Sequence, residues 1–182
     1  VTTLIKHMLE QCLHTKVGLI GTNANIIGDE VLHTEHTTPD TYELQKLLHR
    51  MVDAGCTHAV MEVSSHSLVL HRVEGIRFRV GIFTNLSQDH LDFHKTMEAY
   101  AEAKALLFAQ SDIGIVNADD DWARVMLERA ECPMQTYSAK RNDADLVAKD
   151  IRLSASGVRF VAMSGDAIVR MRLGIPGMFS VY

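Results

Sequence analysis

Ala59-Val60-Met61-Glu62-Val63-Ser64-Ser65-His66 is the stretch on which the reading of this chain turns. Five residues suited to a buried strand carry one carboxylate near their end, and the run then stops on hydroxyls and an imidazole. Val80-Gly81-Ile82-Phe83-Thr84 repeats the form. It leads into Asn85-Leu86-Ser87-Gln88-Asp89-His90-Leu91-Asp92-Phe93-His94. Short apolar runs of this kind belong to strands buried on both faces, and ligands gather at the carboxyl ends of such strands.

Working outward, the periodicity alternates. Lys16 to Ile20 reads as a strand, Gly21-Thr22-Asn23-Ala24-Asn25 as a turn, and the segment up to Thr37-Thr38-Pro39-Asp40 as irregular. Leu44, Leu47, Leu48, Met51 and Val52 then fall on one helical face, with Gly55 placed to end the helix. Thr96 is positioned to cap a helix from Met97 to Phe108. Ile113 to Asn117 is a further strand, Asp119-Asp120-Asp121 starts a helix, and Thr136 to Ser138 reads as an edge strand. Strands alternating with helices imply an α/β fold with a mostly parallel sheet flanked by helices. From Asp145 onward, strand-like runs are broken by Ser-Gly and Gly-Asp turns, as in a small antiparallel β appendage. The expected division is an α/β core over 1–144 and the antiparallel lobe over 145–182.

Composition excludes several classes. The 182 residues are 47% hydrophobic and 23% charged, with a net charge of −5 and scattered basic residues. That balance leaves no nucleic-acid footprint, and no apolar run reaches membrane-spanning length. Cys12, Cys56 and Cys132 are odd in number and far apart, which suits reduced thiols and a cytoplasmic setting. The first residues enter a helix without a cap, and Ile175 to Tyr182 reads as the approach to another element. Both ends are therefore expected to be cut from a longer protein.

The chemistry-bearing side chains each have a plain alternative. Glu62, at the end of an apolar strand, must be solvated, paired or bound to a metal. Ser64 sits in a turn where a hydroxyl either bonds backbone or offers itself to phosphate or sugar. Arg72 can clamp a phosphate or carboxylate, or be solvated. His90 and His94 have the spacing of a zinc-binding helix, but Leu91 stands where that motif needs glutamate. Lys104 lies on the inward face of its helix, with Tyr100 and Ala101 on one side and Leu107 and Phe108 on the other. A stem that snorkels to the surface is one reading. The other is reaction with CO2 to a carbamate, which makes the side chain an anionic oxygen ligand. Gly21 to Asn25 lacks the Gly-Lys-Ser/Thr of a phosphate loop.

Together, Thr37-Thr38-Pro39-Asp40, Met61-Glu62-Val63-Ser64-Ser65-His66, His71-Arg72-Val73, Thr84 to His94 and Ala103-Lys104 resemble the central ATP-binding domain of the Mur ligases, over essentially the whole chain. The nearest branch adds the third amino acid, L-lysine or meso-diaminopimelate, to UDP-N-acetylmuramoyl-L-alanyl-D-glutamate in peptidoglycan synthesis. The resemblance implies ATP and Mg2+ as cofactors. It implies that Glu62 ligates one Mg2+, while His90 and Lys104, as a carbamate (N6-carboxylysine), hold a second. It also implies that Thr37, Thr38, Ser64 and Arg72 contact the UDP-MurNAc-dipeptide. Glu62, His90 and Lys104 are thus expected at one rim of the sheet. The γ-carboxylate of D-glutamate would be phosphorylated, and the incoming amine would displace phosphate. In the family a phosphate loop and a UDP-binding domain precede this domain, and an amino-acid-selecting domain follows it. The 182 residues alone are therefore expected to be inactive, and the protein a cytoplasmic monomer without nucleic-acid or membrane partners. Leu70 and Ser180 depart from the family pattern, where some members carry glutamine and asparagine. Other readings are a folylpolyglutamate- or cyanophycin-type synthetase, a non-catalytic UDP-sugar-peptide binding module, or a zinc hydrolase using His90 and His94.

Overall fold

The strand ends that dominate the sequence organise two sheets. The computed structural model describes Val1–Tyr182, which divides into two compact units, Val1–Ile76 and Arg77–Tyr182.

The first unit opens with α1 (Thr2–Leu13), β1 (Lys16–Ile20), β2 (Asn25–Ile27) and β3 (Glu30–Leu32). It continues with α2 (Thr41–Asp53), β4 (Cys56–Met61) and the short α3 (Ser65–Val69). Its sheet runs β3-β2-β1-β4, with β1 and β4 parallel and the other pairs antiparallel. Val17, Ile20, Leu44 and Met51 are buried between sheet and helix, as the helical period of α2 requires. Asp40 caps α2 by accepting from the Glu43 amide at 3.0 Å, and Gly55 leaves it with φ 79°. The segment read as irregular holds the β2–β3 hairpin, because Ile27 is buried and Asn25, Ile26 and Ile27 pair with β3. Runs of three residues are too short for their alternation to register as strands.

The second unit contains β5 (Phe78–Phe83), α4 (Leu91–His94), α5 (Met97–Ala109) and β6 (Ser111–Asn117). These are followed by α6 (Ala123–Arg129), β7 (Met134–Ser138), β8 (Leu146–Ser154), β9 (Gly157–Ser164) and β10 (Ala167–Leu173). Its sheet runs β10-β9-β8-β7-β6-β5. Strands β5 to β8 are parallel and β8 to β10 antiparallel, so the hairpins continue the sheet. The core is Phe83, Leu86, Tyr100, Ala101, Phe108, Val116 and Met126, packed between α5, α6 and the sheet.

Further expectations change. The apolar runs read as strands buried on both faces are not so: β4 has no buried residue and β5 buries only Gly81 and Phe83. Thr136 to Ser138 is not an edge strand: β7 lies between β6 and β8, and its pairing on both sides was hidden by its few apolar residues. Asp119-Asp120-Asp121 does not start a helix. Asn117 and Asp120 tie these residues into a turn, and α6 begins at Ala123. No helix is long and apolar enough to cross a membrane.

Candidate functional site

In the first unit, Glu62 follows β4, and its amide donates to the Ile20 carbonyl at 2.9 Å, extending the β1–β4 ladder by one residue. Its carboxylate is held from three directions. Thr22 donates from its hydroxyl at 2.5 Å and its amide at 3.2 Å, and the Thr2 hydroxyl donates at 3.1 Å. Gly21 permits this arrangement, since a Cβ there would stand 3.2 Å from the Glu62 Oε1. Two carboxylate oxygens offer about four lone-pair directions, so three donors leave room for a cation.

The other candidates of this unit gather on the same backbone. The Thr22 hydroxyl lies 3.1 Å from that of Thr37. Thr38 is 1% exposed, and its hydroxyl donates to the Glu62 carbonyl at 2.8 Å while accepting from the Ser64 amide at 3.0 Å. Arg72 reaches the Thr38 carbonyl through Nη1 at 3.4 Å. Ser64 caps α3 by accepting from the Ser67 amide at 3.1 Å. A capping hydroxyl uses its lone pair and keeps its proton for an outside acceptor. Thr37, Thr38, Glu62, Ser64 and Arg72 are therefore linked into one network. Sequence reasoning missed Thr2 and Thr22. The available signal for Thr22 was its place at the end of β1, a strand with the same polar stop as β4.

In the second unit, Tyr100 is the common neighbour. His94 stacks on its ring at 4.7 Å between centroids, His90 meets its edge at 6.0 Å, and the Lys104 Nζ stands 5.2 Å from its centroid. His90 and Lys104 are thereby brought to one aromatic side chain. Burial lowers the pKa of Lys104, since the surroundings disfavour an ammonium. His90 takes a left-handed conformation with φ 54° at the start of α4, where its imidazole Nε2 is 3.5 Å from Asp89. The one-turn helix α4 was not legible, because four residues carry no period. His94 is buried against the Tyr100 ring.

The loop that presents His90 is anchored from β6. Asn117 donates to the Thr84 carbonyl at 2.9 Å, and the Asp120 carboxylate accepts from the Leu86 amide at 3.0 Å. Asp119 accepts from the Ser138 hydroxyl, the Ala139 and Lys140 amides and the Tyr182 hydroxyl. Burial alone would raise its pKa, but those donors outweigh it and hold the carboxyl below the usual range. A cavity of about 540 Å³ beside α6 is lined by Asp121, Arg124, Glu128, Arg141 and their neighbours, and none of the predicted site residues borders it.

Comparison with known proteins fixes what these motifs belong to. The family model described as the Mur ligase middle domain matches residues 1–182. UDP-N-acetylmuramoyl-L-alanyl-D-glutamate–2,6-diaminopimelate ligase of Caldanaerobacter subterraneus subsp. tengcongensis is 48% identical over 183 residues, covering 100% of this chain and 38% of the relative. The enzyme of the same name from Corynebacterium glutamicum is 44% identical over 189 residues, covering 98% and 36%. A solved structure of a ligase of that name superposes with a TM-score of 0.90 at 34% identity, covering 99% of this chain and 38% of the other. MurF ligase from Thermotoga maritima in complex with ADP, at 18% identity, TM-score 0.65 and coverage of 99% and 40%, shares the fold. The chain thus spans well under half the length of these relatives.

Proposed function

This chain belongs to the Mur ligase family as its middle domain, and we propose that the protein carrying it is an ATP-dependent ligase acting on UDP-N-acetylmuramoyl-L-alanyl-D-glutamate. The amino acid added is 2,6-diaminopimelate. The observation that carries this reading is the 48% identity across the whole chain to a ligase named for that reaction. In the reaction, a γ-carboxylate oxygen of the D-glutamate attacks the γ-phosphorus of ATP, and ADP leaves. The amine nitrogen then attacks the acyl carbon, the bond to the phosphate oxygen breaks, phosphate departs, and the nitrogen loses a proton.

Each residue takes a part that its surroundings favour. The Glu62 carboxylate, aimed by Thr22 and Thr2, suits Mg2+, which prefers hard oxygen ligands and phosphates. Bound cations would supply charge stabilisation to the phosphoryl oxygens during transfer. Lys104 and His90 would hold the second ion, with Lys104 as its carbamate. That modification begins from the neutral amine. Its nitrogen lone pair attacks the CO2 carbon, one C=O pair becomes a carboxylate oxygen, and a proton leaves the nitrogen. Burial favours the neutral amine and so favours this step. Thr37, Ser64 and Arg72 would hold the UDP-sugar-peptide, and Thr38 would fix the backbone that carries Ser64. The whole protein would be a cytoplasmic monomer.

The test is an assay of the full-length protein with ATP, Mg2+, the UDP-MurNAc-dipeptide and diaminopimelate. ADP formation should depend on both the dipeptide and the amino acid, and the product mass should rise by one diaminopimelate residue. Turnover with a folate and glutamate instead would sink this assignment.

A further inference from the structure

The antiparallel end of the second unit's sheet carries a charge pattern that the proposed reaction does not use. Arg152 on β8 is register partner to Arg159 on β9, which is partner to Arg172 on β10. Register partners share a face, so three guanidinium groups lie in a row across three adjacent strands, about 4.8 Å from strand to strand. The next row, two residues along β9 and β10 and three along β8 across a register shift, holds Lys149, Val161 and Arg170. All four arginines are exposed.

None of these four has a hydrogen bond or an ion pair, and in this they differ from the rest. Arg50, Arg77, Arg79, Arg124, Arg129 and Arg141 each hold a carboxylate, and Arg72 holds a carbonyl. Lys149 is occupied with the Asn142 side chain. Like charges placed directly opposite one another across strands are destabilising. Charged residues on an edge strand guard against edge-to-edge pairing, and that covers Arg170 and Arg172. It does not cover Arg152 and Arg159, which stand on interior strands.

A second observation narrows what the row would receive. β10 ends the sheet, and its outer edge makes no backbone hydrogen bond. Alternate residues along its seven turn unpaired amides and carbonyls outward, beside Arg170 and Arg172. On the opposite face of the same strand, Val169 is 52% exposed. The chain carries a net charge of −5, so apart from these arginines the remainder is more acidic still. An open strand edge is completed by another extended backbone, which neither a lipid surface nor a duplex nucleic acid supplies.

We propose that the β10 edge and its arginine row bind an extended acidic protein segment, which adds to the sheet as a further strand. Acidic side chains at alternate positions would face Arg170 and Arg172, and the intervening β-branched side chains would lie beside Val169. None of the residues assigned to ligation belongs to β8, β9 or β10.

The experiment uses the full-length protein and a fluorescent peptide of about ten residues alternating glutamate and threonine, with a glutamine–threonine peptide as control. Anisotropy should show the glutamate peptide binding at least about tenfold more tightly than the control. Arg159→Gln combined with Arg172→Gln should remove that preference while leaving ligase turnover intact. Hydrogen exchange of the β10 amides should slow when the peptide binds. Equal binding of the two peptides, or unchanged binding by the double variant, overturns the proposal. So does binding without protection of β10. Binding to phosphatidylglycerol vesicles, or arginine-dependent self-association, in the absence of glutamate-peptide binding would replace it with a membrane surface or a second copy of the chain.

Discussion

At the scale of single residues, Lys104 and Glu62 carry the sharpest expectations. Lys104 is an amine held among apolar and aromatic neighbours, with its pKa lowered by burial. Replacing it by alanine in the full-length ligase should nearly abolish turnover, and short-chain carboxylic acids should restore part of it by standing in for the carbamate. Steady-state assays with and without added acetate decide this. The same burial makes a stability prediction. Between the lowered pKa and the ordinary 10.5, the unfolded chain binds the extra proton, so this residue's cost to the fold diminishes as pH rises through that window. Lys104→Met should therefore be more stable than the parent at neutral pH, with the gap narrowing toward pH 10.5. If the cost is about 1 kcal/mol, the difference in Tm is about 2–4 °C. Calorimetry of the metal-free protein under CO2-free buffer would show it. Glu62→Gln keeps the shape but removes the charge that Thr2 and Thr22 surround. Turnover should fall at least about 100-fold, the scale of the several kcal/mol that a bound metal contributes. Unchanged turnover in the variant would remove Glu62 from the metal site.

At the scale of elements, caps and registers do the work. Thr96 holds the first turn of α5 by accepting from the Ala99 amide at 3.1 Å. Thr96→Ala should cost about 1 kcal/mol, measured as a lower denaturation midpoint, because an N-terminal amide of the helix loses its acceptor. Both this cap and the helix it starts were legible in the sequence, since capping depends on residues three apart. The helical face of α2 was legible for a similar reason. The arginine row was not. Arg152, Arg159 and Arg172 are unremarkable in the sequence, and only the register of β8, β9 and β10 sets them opposite one another. Arg159→Gln should raise stability by about 0.2–1 kcal/mol by removing the middle charge of three. A lower midpoint in urea for that variant would mean that Arg159 has a folding role its surroundings do not show.

At the scale of the whole molecule, alkaline pH tests the packing around Asp119. The hydroxyl of Tyr137 is pushed up to about 12 by burial and by the nearby charges of Asp120 and Tyr182. Tyr182 is also pushed up to about 12, by burial and its hydrogen bond to Asp119. Between the ordinary 10 and about 12 the folded chain keeps protons that the unfolded chain has released. Stability should therefore fall as pH rises through that range, and Tyr137→Phe should flatten the decline. The sign is opposite to that of Lys104, so the two effects separate in one pH series. Taken alone, the sequence determined the α/β pattern, the helix caps and which side chains break the apolar strand ends, because each follows from neighbours a few residues apart. It also marked Lys104 as facing inward. Only the tertiary structure decided that Thr22 and Thr2, 40 and 60 residues from Glu62, hold its carboxylate. The same holds for β7 lying inside its sheet and for Asp119 reaching Tyr182 across 63 residues. Those pairings are fixed by strand order and register, which arise from packing between distant segments and leave no local period to read.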